Sequence, residues 1–230
     1  MSKQTRRGFL KNTLAAAATV TIAGTKSSGR VLGANDTVRV GVAGLNDRGG
    51  AHVGAFSKMK DVEVVYLIDP DTRTFSKRLD QLNKQTTKPT LVQDIRKALE
   101  DKNLDAVSVA TPNHWHALIT IWACQAGKDV YVEKPCSHEV HEGRLALTAA
   151  RKYNRIVQHG TQGRSSLLAA KIAAIVKSGT LGKLNVSRGL CYKPRESIGF
   201  KPNESPPAEV DFNIWLGPAP ERSFNTNLVH

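Results

Sequence analysis

The chain has 230 residues, room for one large domain or for one domain and part of a second, and its 40% hydrophobic and 23% charged residues are ordinary for a globular protein. Its formal net charge of +13 is partly local, because residues 1–34 hold six basic side chains and no acidic one. The remaining charge forms no run of one sign and no nucleic-acid-binding motif occurs, so we expect no nucleic-acid partner.

The first 34 residues resemble a bacterial twin-arginine export signal. Paired arginines, Arg6 and Arg7, precede Phe-Leu-Lys, and a weakly apolar stretch follows over residues 14–23. That stretch is too short for a transmembrane helix, so we expect no stable membrane span. The segment predicts a periplasmic or otherwise exported protein, with a disordered basic tail as the alternative.

Apolar runs alternate with helix-like segments from residue 35 onward. Strands are predicted over residues 38–43, 62–68, 90–92, 105–110, 129–132 and 156–159. Helices are predicted over residues 49–58, 71–83, 95–100, 114–126 and 138–154. Strands that alternate with helices imply a parallel sheet covered on both faces. With right-handed crossovers, residues 35–161 are predicted to form a doubly wound Rossmann domain, of the α/β class.

The sequence changes character after Gly160. A helix is predicted over residues 167–178 and a long strand over residues 184–192, and residues 194–220 then hold six of the ten prolines. Residues 162–230 therefore predict the incomplete start of an α+β second domain. Because the long strand would lack partners, we expect an exposed edge that favours self-association.

The three cysteines, Cys124, Cys136 and Cys191, cannot all pair with one another because their number is odd. Their spacing fits no zinc-binding pattern. Two neighbouring histidines, His114 and His116, have no carboxylate close by in the sequence and also make a poor metal site. We therefore predict free structural thiols and no bound metal.

A glycine-rich turn follows the first predicted strand and is typical of dinucleotide-binding proteins. Gly44 permits the tight turn, and Gly49 lets the helix pack against the strand, so that helix N–H groups face a pyrophosphate. Asn46 replaces the usual middle glycine, and asparagine tolerates positive φ better than most residues. Arg48 lies in the same turn, so we count these four residues as candidates for cofactor binding.

Asp69 ends the second strand, 20 residues beyond Gly49. A carboxylate at that position would hold the ribose hydroxyls and repel a 2′-phosphate, which favours NAD over NADP. Arg73 lies close enough in the sequence to soften this preference. The alternative is that Asp69 is simply an acidic residue ahead of a helix, before Pro70.

Glu133-Lys134-Pro135 ends the fifth predicted strand. After a dinucleotide-type turn and a series of βαβ units, it puts Lys134 where a nicotinamide ring would sit, which indicates hydride transfer. An ammonium group there would stabilise the alkoxide that develops on the substrate as hydride leaves. The alternative is a surface lysine at the end of a strand.

Together these motifs resemble the Gfo/Idh/MocA family, the glucose–fructose oxidoreductases and inositol dehydrogenases, over residues 38–230. The matching parts are residues 44–49, Asp69, residues 110–116, residues 133–135 and residues 160–164. The resemblance implies an NAD(P)-dependent oxidoreductase that transfers hydride between nicotinamide and a secondary alcohol of a sugar, polyol or glycoside. A small-molecule sugar or polyol is then the partner, and a homo-oligomer is an open option for the full-length form.

The resemblance also implies roles for individual residues. It makes Lys134 the catalytic residue, in contact with both the nicotinamide ribose and the substrate hydroxyl. Glu133 would set the charge of this lysine or hold the cofactor. The remaining cofactor-binding candidates are Thr111, Pro112, Asn113, His116, Gln162 and Arg164.

Family members carry a proton-handling Asp and His, four residues apart, on their second domain. That segment is expected just after residues 227–230, so we expect the second domain of this chain to be truncated. The alternative to an active oxidoreductase is therefore a nucleotide-binding fragment without catalytic activity.

Overall fold

The computed structural model describes residues 37–229. The predicted export signal in residues 1–34 and the terminal His230 lie outside the described residues. Within residues 37–229, no helix combines the length and the apolar character needed to cross a membrane.

Six parallel strands form one sheet in the order β3-β2-β1-β4-β5-β6. The strands are β1 (Val38–Ala43), β2 (Val62–Ile68), β3 (Thr90–Val92), β4 (Ala106–Val109), β5 (Asp129–Glu133) and β6 (Val157–Gly160). This order confirms the predicted doubly wound Rossmann domain, whose switch point lies between β1 and β4. Ligands of such sheets bind outside the carboxyl ends of the strands at that point.

Six helices lie where the sequence predicts them, with ends that differ by at most four residues, whereas the sequence did not predict the short seventh helix. They are α1 (Asp47–Phe56), α2 (Phe75–Gln81), α3 (Ile95–Leu99), α4 (Asn113–Gln125), α5 (Val140–Lys152), α6 (Leu167–Lys177) and α7 (Phe212–Leu216). The helix predicted over residues 71–83 is shorter because Asp71 caps a 3-10 turn, Thr72–Thr74, that precedes α2. Asp71 does so by accepting a hydrogen bond from the backbone N–H of Arg73 at 3.0 Å.

Apolar side chains pack in two clusters that the sheet separates. Leu67 belongs to one cluster and its neighbour Ile68 to the other, because successive side chains of a strand point to opposite faces. Both side chains are buried. The core of the protein therefore lies within residues 38–161, and it holds the strand ends that form the site.

The long strand predicted over residues 184–192 is wrong. Residues 183–207 contain no helix or strand. A strand needs a neighbour to accept and donate its backbone hydrogen bonds, whereas a helix satisfies its own. The predicted helix α6 is accordingly present, although none of its residues is buried.

The chain then returns to the domain through residues 209–217, which we call the return segment. Its Glu209 carbonyl accepts a hydrogen bond from the N–H of Thr72 at 3.0 Å, and its Asp211 N–H donates to the Pro70 carbonyl at 2.9 Å. Val210 forms an isolated antiparallel bridge with Asp71 between these two bonds. The return segment is thus attached to the loop that follows β2.

Candidate cofactor site

The glycine-rich turn is closed by contacts that leave no room for side chains. Gly44 adopts φ +79°, and a Cβ at Gly49 would overlap the carbonyl oxygen of Gly44. Asn46 has an extended backbone with φ −75°, so the positive φ that the sequence suggested for it is not used. The positive φ falls on Asp47 instead. The turn therefore brings α1 directly against the end of β1, as a pyrophosphate-binding turn requires.

Asp69 is buried behind this turn, with 8% of the residue exposed. Its Oδ2 accepts a hydrogen bond from the N–H of Leu45 at 2.7 Å, and its Oδ1 accepts one from the N–H of Asp71 at 2.9 Å. Burial raises the pKa of Asp69 to about 6, against the lowering effect of these two hydrogen bonds. The carboxyl group thus holds the turn in place and also faces the cleft beside it.

That cleft lies at the switch point, beside the carboxyl ends of β1, β2 and β4. It brings together five of the predicted site residues, which are Gly44, Asn46, Asp69, Thr111 and Pro112. Its wall also includes residues that the sequence did not suggest, which are Asp71, Gln93, Ile214, Trp215 and Val229. A turn closed by two glycines, an adjoining cleft and a carboxylate on its wall are features that fit a dinucleotide.

Glu133, at the end of β5, is the centre of a second group of site residues. Its Oε1 lies 3.2 Å from Nε of Arg48 and 2.9 Å from Nε2 of His52, and it also accepts a hydrogen bond from the amide of Gln162. Nδ1 of His52 in turn lies 2.8 Å from Oγ of Ser108. The buried carboxylate joins the glycine-rich helix to the segment after β6.

His52 is a site residue that the sequence reasoning missed. Burial lowers its pKa, although the hydrogen bond to Glu133 and the charge of that carboxylate act in the opposite direction. In the neutral form of this ring, Nε2–H donates a hydrogen bond to Glu133, and Nδ1 accepts a hydrogen bond from the hydroxyl group of Ser108. The sequence did offer one indication of His52: it lies four residues after Arg48, so both side chains lie on one face of α1.

Lys134 is exposed directly after Glu133, and its peptide bond to Pro135 is cis. Its backbone position is fixed by the buried residue before it, while its side chain reaches solvent. Because β5 lies next to β4, Lys134 emerges at the same sheet edge as the cleft residue Thr111. A cation beside a nicotinamide site is what the sequence predicted here, and the role of Lys134 in catalysis stays a prediction.

The other predicted residues occupy different surroundings. His116 is buried, with Nδ1 2.5 Å from the Pro135 carbonyl and Nε2 2.8 Å from the Thr111 carbonyl. It therefore ties together the loops that follow β4 and β5. Asn113 begins α4 and is exposed, and Arg164 lies on an exposed 3-10 turn, Gln162–Ser165. Their contact with a cofactor stays a prediction.

His114 and Trp115 both reach the return segment. Nε2 of His114 and Nε1 of Trp115 each lie 3.0 Å from the Trp215 carbonyl oxygen. No group of three or more His, Cys, Asp or Glu side chains within residues 37–229 is arranged to hold a metal ion. The three cysteines are unpaired, and only Cys124 is buried.

Curated relatives resemble this chain over more than half of its length. A glycosyl hydrolase family 109 protein of Shewanella pealeana is 30% identical over 170 residues, which are 70% of this chain and 37% of that protein. Another from Shewanella baltica is 28% identical over 157 residues, 65% of this chain and 34% of that protein. The chain thus spans little more than a third of the length of these relatives.

Solved structures share the fold. A scyllo-inositol dehydrogenase from Lactobacillus casei with bound NAD(H) and scyllo-inositol aligns with a TM-score of 0.57 at 21% identity, over 64% of this chain and 43% of that one. A myo-inositol 2-dehydrogenase from Lactobacillus plantarum aligns with a TM-score of 0.58 at 23% identity, over the same shares.

Residues 38–161 also match a family described as an oxidoreductase family with an NAD-binding Rossmann fold. The match extends from the start of β1 to the residue after β6, and so covers the complete sheet. The chain therefore belongs to the Gfo/Idh/MocA oxidoreductase family, and residues 38–161 are its NAD-binding domain.

Proposed function

We propose that this chain provides the NAD-binding part of a dehydrogenase that acts on a secondary alcohol of a sugar, polyol or glycoside. The observation that carries the proposal is the position of Lys134, exposed at the end of β5 next to a carboxylate held by one ion-pair partner and two hydrogen-bonding partners. NAD, when bound, supplies the hydride acceptor. The chain supplies a cation at the strand end beside the switch point.

Lys134 is suited to stabilise negative charge on a substrate oxygen. Its ammonium group can donate a hydrogen bond to the hydroxyl that is oxidised, and its charge favours the alkoxide that develops there. Glu133 does not compete for this ammonium through Oε1, which already serves Arg48, His52 and Gln162. The buried carboxylate instead fixes the end of β5 and so the point from which the lysine extends.

The proposed substrate class draws on the similar proteins. The Lactobacillus casei structure contains scyllo-inositol, a ring with several hydroxyl groups, and the Shewanella proteins are named as glycosyl hydrolases. Both names concern compounds with secondary alcohols. These observations support a polyhydroxylated ring compound as the substrate of the proposed dehydrogenase.

Replacement of Lys134 tests the proposal. In a form of the protein that turns over a sugar or polyol, Lys134→Ala should lower kcat by about 10²–10⁴, the range for a positioned proton-transfer or charge-stabilising group. NAD affinity, followed by fluorescence quenching, should change much less. Lys134→Arg is the matched control, because it keeps a cation at the strand end.

Two results would contradict the proposal. A Lys134→Ala protein that keeps its kcat at saturating NAD but binds NAD much more weakly would make the lysine a cofactor anchor only. NAD binding without NADH formation on any member of a panel of sugars and polyols would favour the alternative of a nucleotide-binding fragment. The panel can be followed at the absorbance of NADH.

Cleavage of a glycoside is a second candidate, and the names of the Shewanella relatives favour it. Release of p-nitrophenol from p-nitrophenyl glycosides, measured with and without added NAD, separates it from simple dehydrogenation. NAD-dependent release would favour this second candidate.

A further inference from the structure

The return segment forms part of the cleft although it lies outside the NAD-binding family match. Ile214 and Trp215 line the same cleft as Asp69, which is more than 140 residues earlier in the chain. In a dinucleotide-binding domain the acidic residue after β2 marks the ribose of the adenosine half. The part of the cleft near Asp69 therefore corresponds to the adenosine end, and the return segment borders it.

Backbone contacts hold the return segment at the side of β2. The carbonyl of Glu209 and the N–H of Asp211 bond to the loop after β2, at 3.0 and 2.9 Å. The carboxylate of Asp211 also accepts a hydrogen bond from the N–H of Ile214 at 3.0 Å and begins α7. Asp211 therefore both bonds to the loop after Asp69 and caps the helix that carries Ile214, which fixes Ile214 close to that loop.

A second attachment joins the return segment to α4. The Trp215 carbonyl accepts from the indole N–H of Trp115 at 3.0 Å and lies 3.0 Å from Nε2 of His114. Gly217 has φ +49°, and a Cβ there would overlap the ring of Trp115. The return segment thus packs closely against the first turn of α4, which follows the cleft residues Thr111 and Pro112.

Aromatic contacts also order the Trp215 ring. Phe212 stacks on it with centroids 5.7 Å apart and 16° between the planes, and His114 meets it edge-on at 5.6 Å. A large aromatic side chain that is already ordered loses little conformational freedom when a flat ligand packs against it.

We propose that Ile214 and Trp215 of the return segment are the apolar wall against which the adenine of NAD packs. Cofactor affinity then depends on residues outside the NAD-binding domain proper. An adenine base has a flat apolar face that aromatic and aliphatic side chains cover well. This inference rests on NAD binding by residues 38–161 and does not depend on the proposed dehydrogenase activity.

Binding of cofactor fragments tests the assignment. Trp215→Ala should weaken both NAD and ADP-ribose by about 5- to 100-fold, the range for loss of one base–aromatic contact, and should leave nicotinamide mononucleotide unchanged. Trp215→Phe should stay within about 3-fold of the parent protein because it keeps an aromatic ring. Phe200→Ala is the matched control, since Phe200 is fully exposed and does not line the cleft. Isothermal titration calorimetry measures all three ligands without turnover.

Ile214→Ala gives a second variant that keeps the anchoring carbonyl of Trp215. It should weaken ADP-ribose by about 3- to 10-fold, because it removes apolar surface from the same wall. Unchanged ADP-ribose affinity in both variants would overturn the proposal, as would an equal loss for nicotinamide mononucleotide. Failure of all ligands to bind the parent protein would instead contradict NAD binding by the domain itself.

Discussion

Residues 38–161 and residues 162–229 use their apolar side chains in opposite ways. The first region buries two clusters on the faces of one parallel sheet. In the second region only Val210, Leu216 and Phe224 are buried hydrophobic residues, while helix α6 buries none of its side chains. The comparison shows that the NAD-binding domain is stabilised by its own core. Residues 162–229 bury few apolar side chains, so their conformation is stabilised mainly by their contacts with that domain.

Core and surface leucines give the largest test of this difference. Leu67→Ala should lower the free energy of unfolding by about 2–5 kcal/mol, since it removes a fully buried side chain from a packed cluster. Leu190→Ala should change it by less than about 0.5 kcal/mol, because Leu190 is 67% exposed. Urea unfolding followed by circular dichroism measures both. If Leu190→Ala lowered the free energy of unfolding by much more than this, Leu190 would be buried against another part of the protein in solution.

The pH dependence of NAD binding tests how much Asp69, a residue of the first region, contributes to cofactor affinity. The pKa of Asp69 is raised to about 6, so the carboxyl group is mostly neutral at pH 5 and charged at pH 8. A ribose hydroxyl that donates to the carboxylate favours the charged form, so affinity should rise with pH across this range. We expect NAD to bind about 10-fold more weakly at pH 5 than at pH 8.

Asp69→Asn is the matched control for this pH effect. It keeps the size of the side chain and removes its titration, so the affinity should become nearly independent of pH between 5 and 8. Titrations of NAD in a series of buffers give the comparison. A slope that persists in the variant would assign the pH dependence to another group and remove Asp69 from that role.

The smallest expected effect concerns the loop where the two regions meet. Nε and Nη2 of Arg73 bond to the two carboxylate oxygens of Asp71 at 2.8 and 2.7 Å. Burial disfavours the charged form of Asp71, but the interactions with Arg73 outweigh it and hold the pKa below its ordinary value. This pairing occupies the cation that would otherwise bind a 2′-phosphate.

Asp71→Ala should therefore raise the affinity for NADP relative to NAD by about 3- to 10-fold, the range for one exposed charge contact with a phosphate. Adding Arg73→Ala should cancel the gain. Parallel titrations with the two nucleotides decide the matter. An unchanged ratio in the single variant would show that Arg73 does not reach the ribose.

The sequence predicted the sheet because its signals are local. The continuous β-branched run over Val38–Ala43 and the glycine turn after it act within a few residues, and both are present where expected. The prediction of a strand over residues 184–192 was wrong because a strand needs a neighbouring strand, which the local sequence does not reveal. Apolar alternation alone could not supply that information.

The contacts that complete the site join residues far apart in the chain. His52 and Glu133 are separated by 81 positions, and His114 and Trp215 by 101. These pairs meet only because of the strand order and the path of the return segment. Sequence motifs could therefore suggest Glu133 and Lys134. No motif indicated which distant residue His52 or Trp215 would contact.

The shared oxygen of Glu133 has a consequence for how this protein can vary in evolution. Arg48 and His52 of α1 and Gln162 of the segment after β6 all meet Oε1 of Glu133. Substitutions that share one partner have non-additive effects, so the loss of Glu133 changes what each of the other three positions can accept. In an alignment of homologues, these four positions are expected to covary, and sequences with an apolar residue at position 133 should also lack the basic and amide partners.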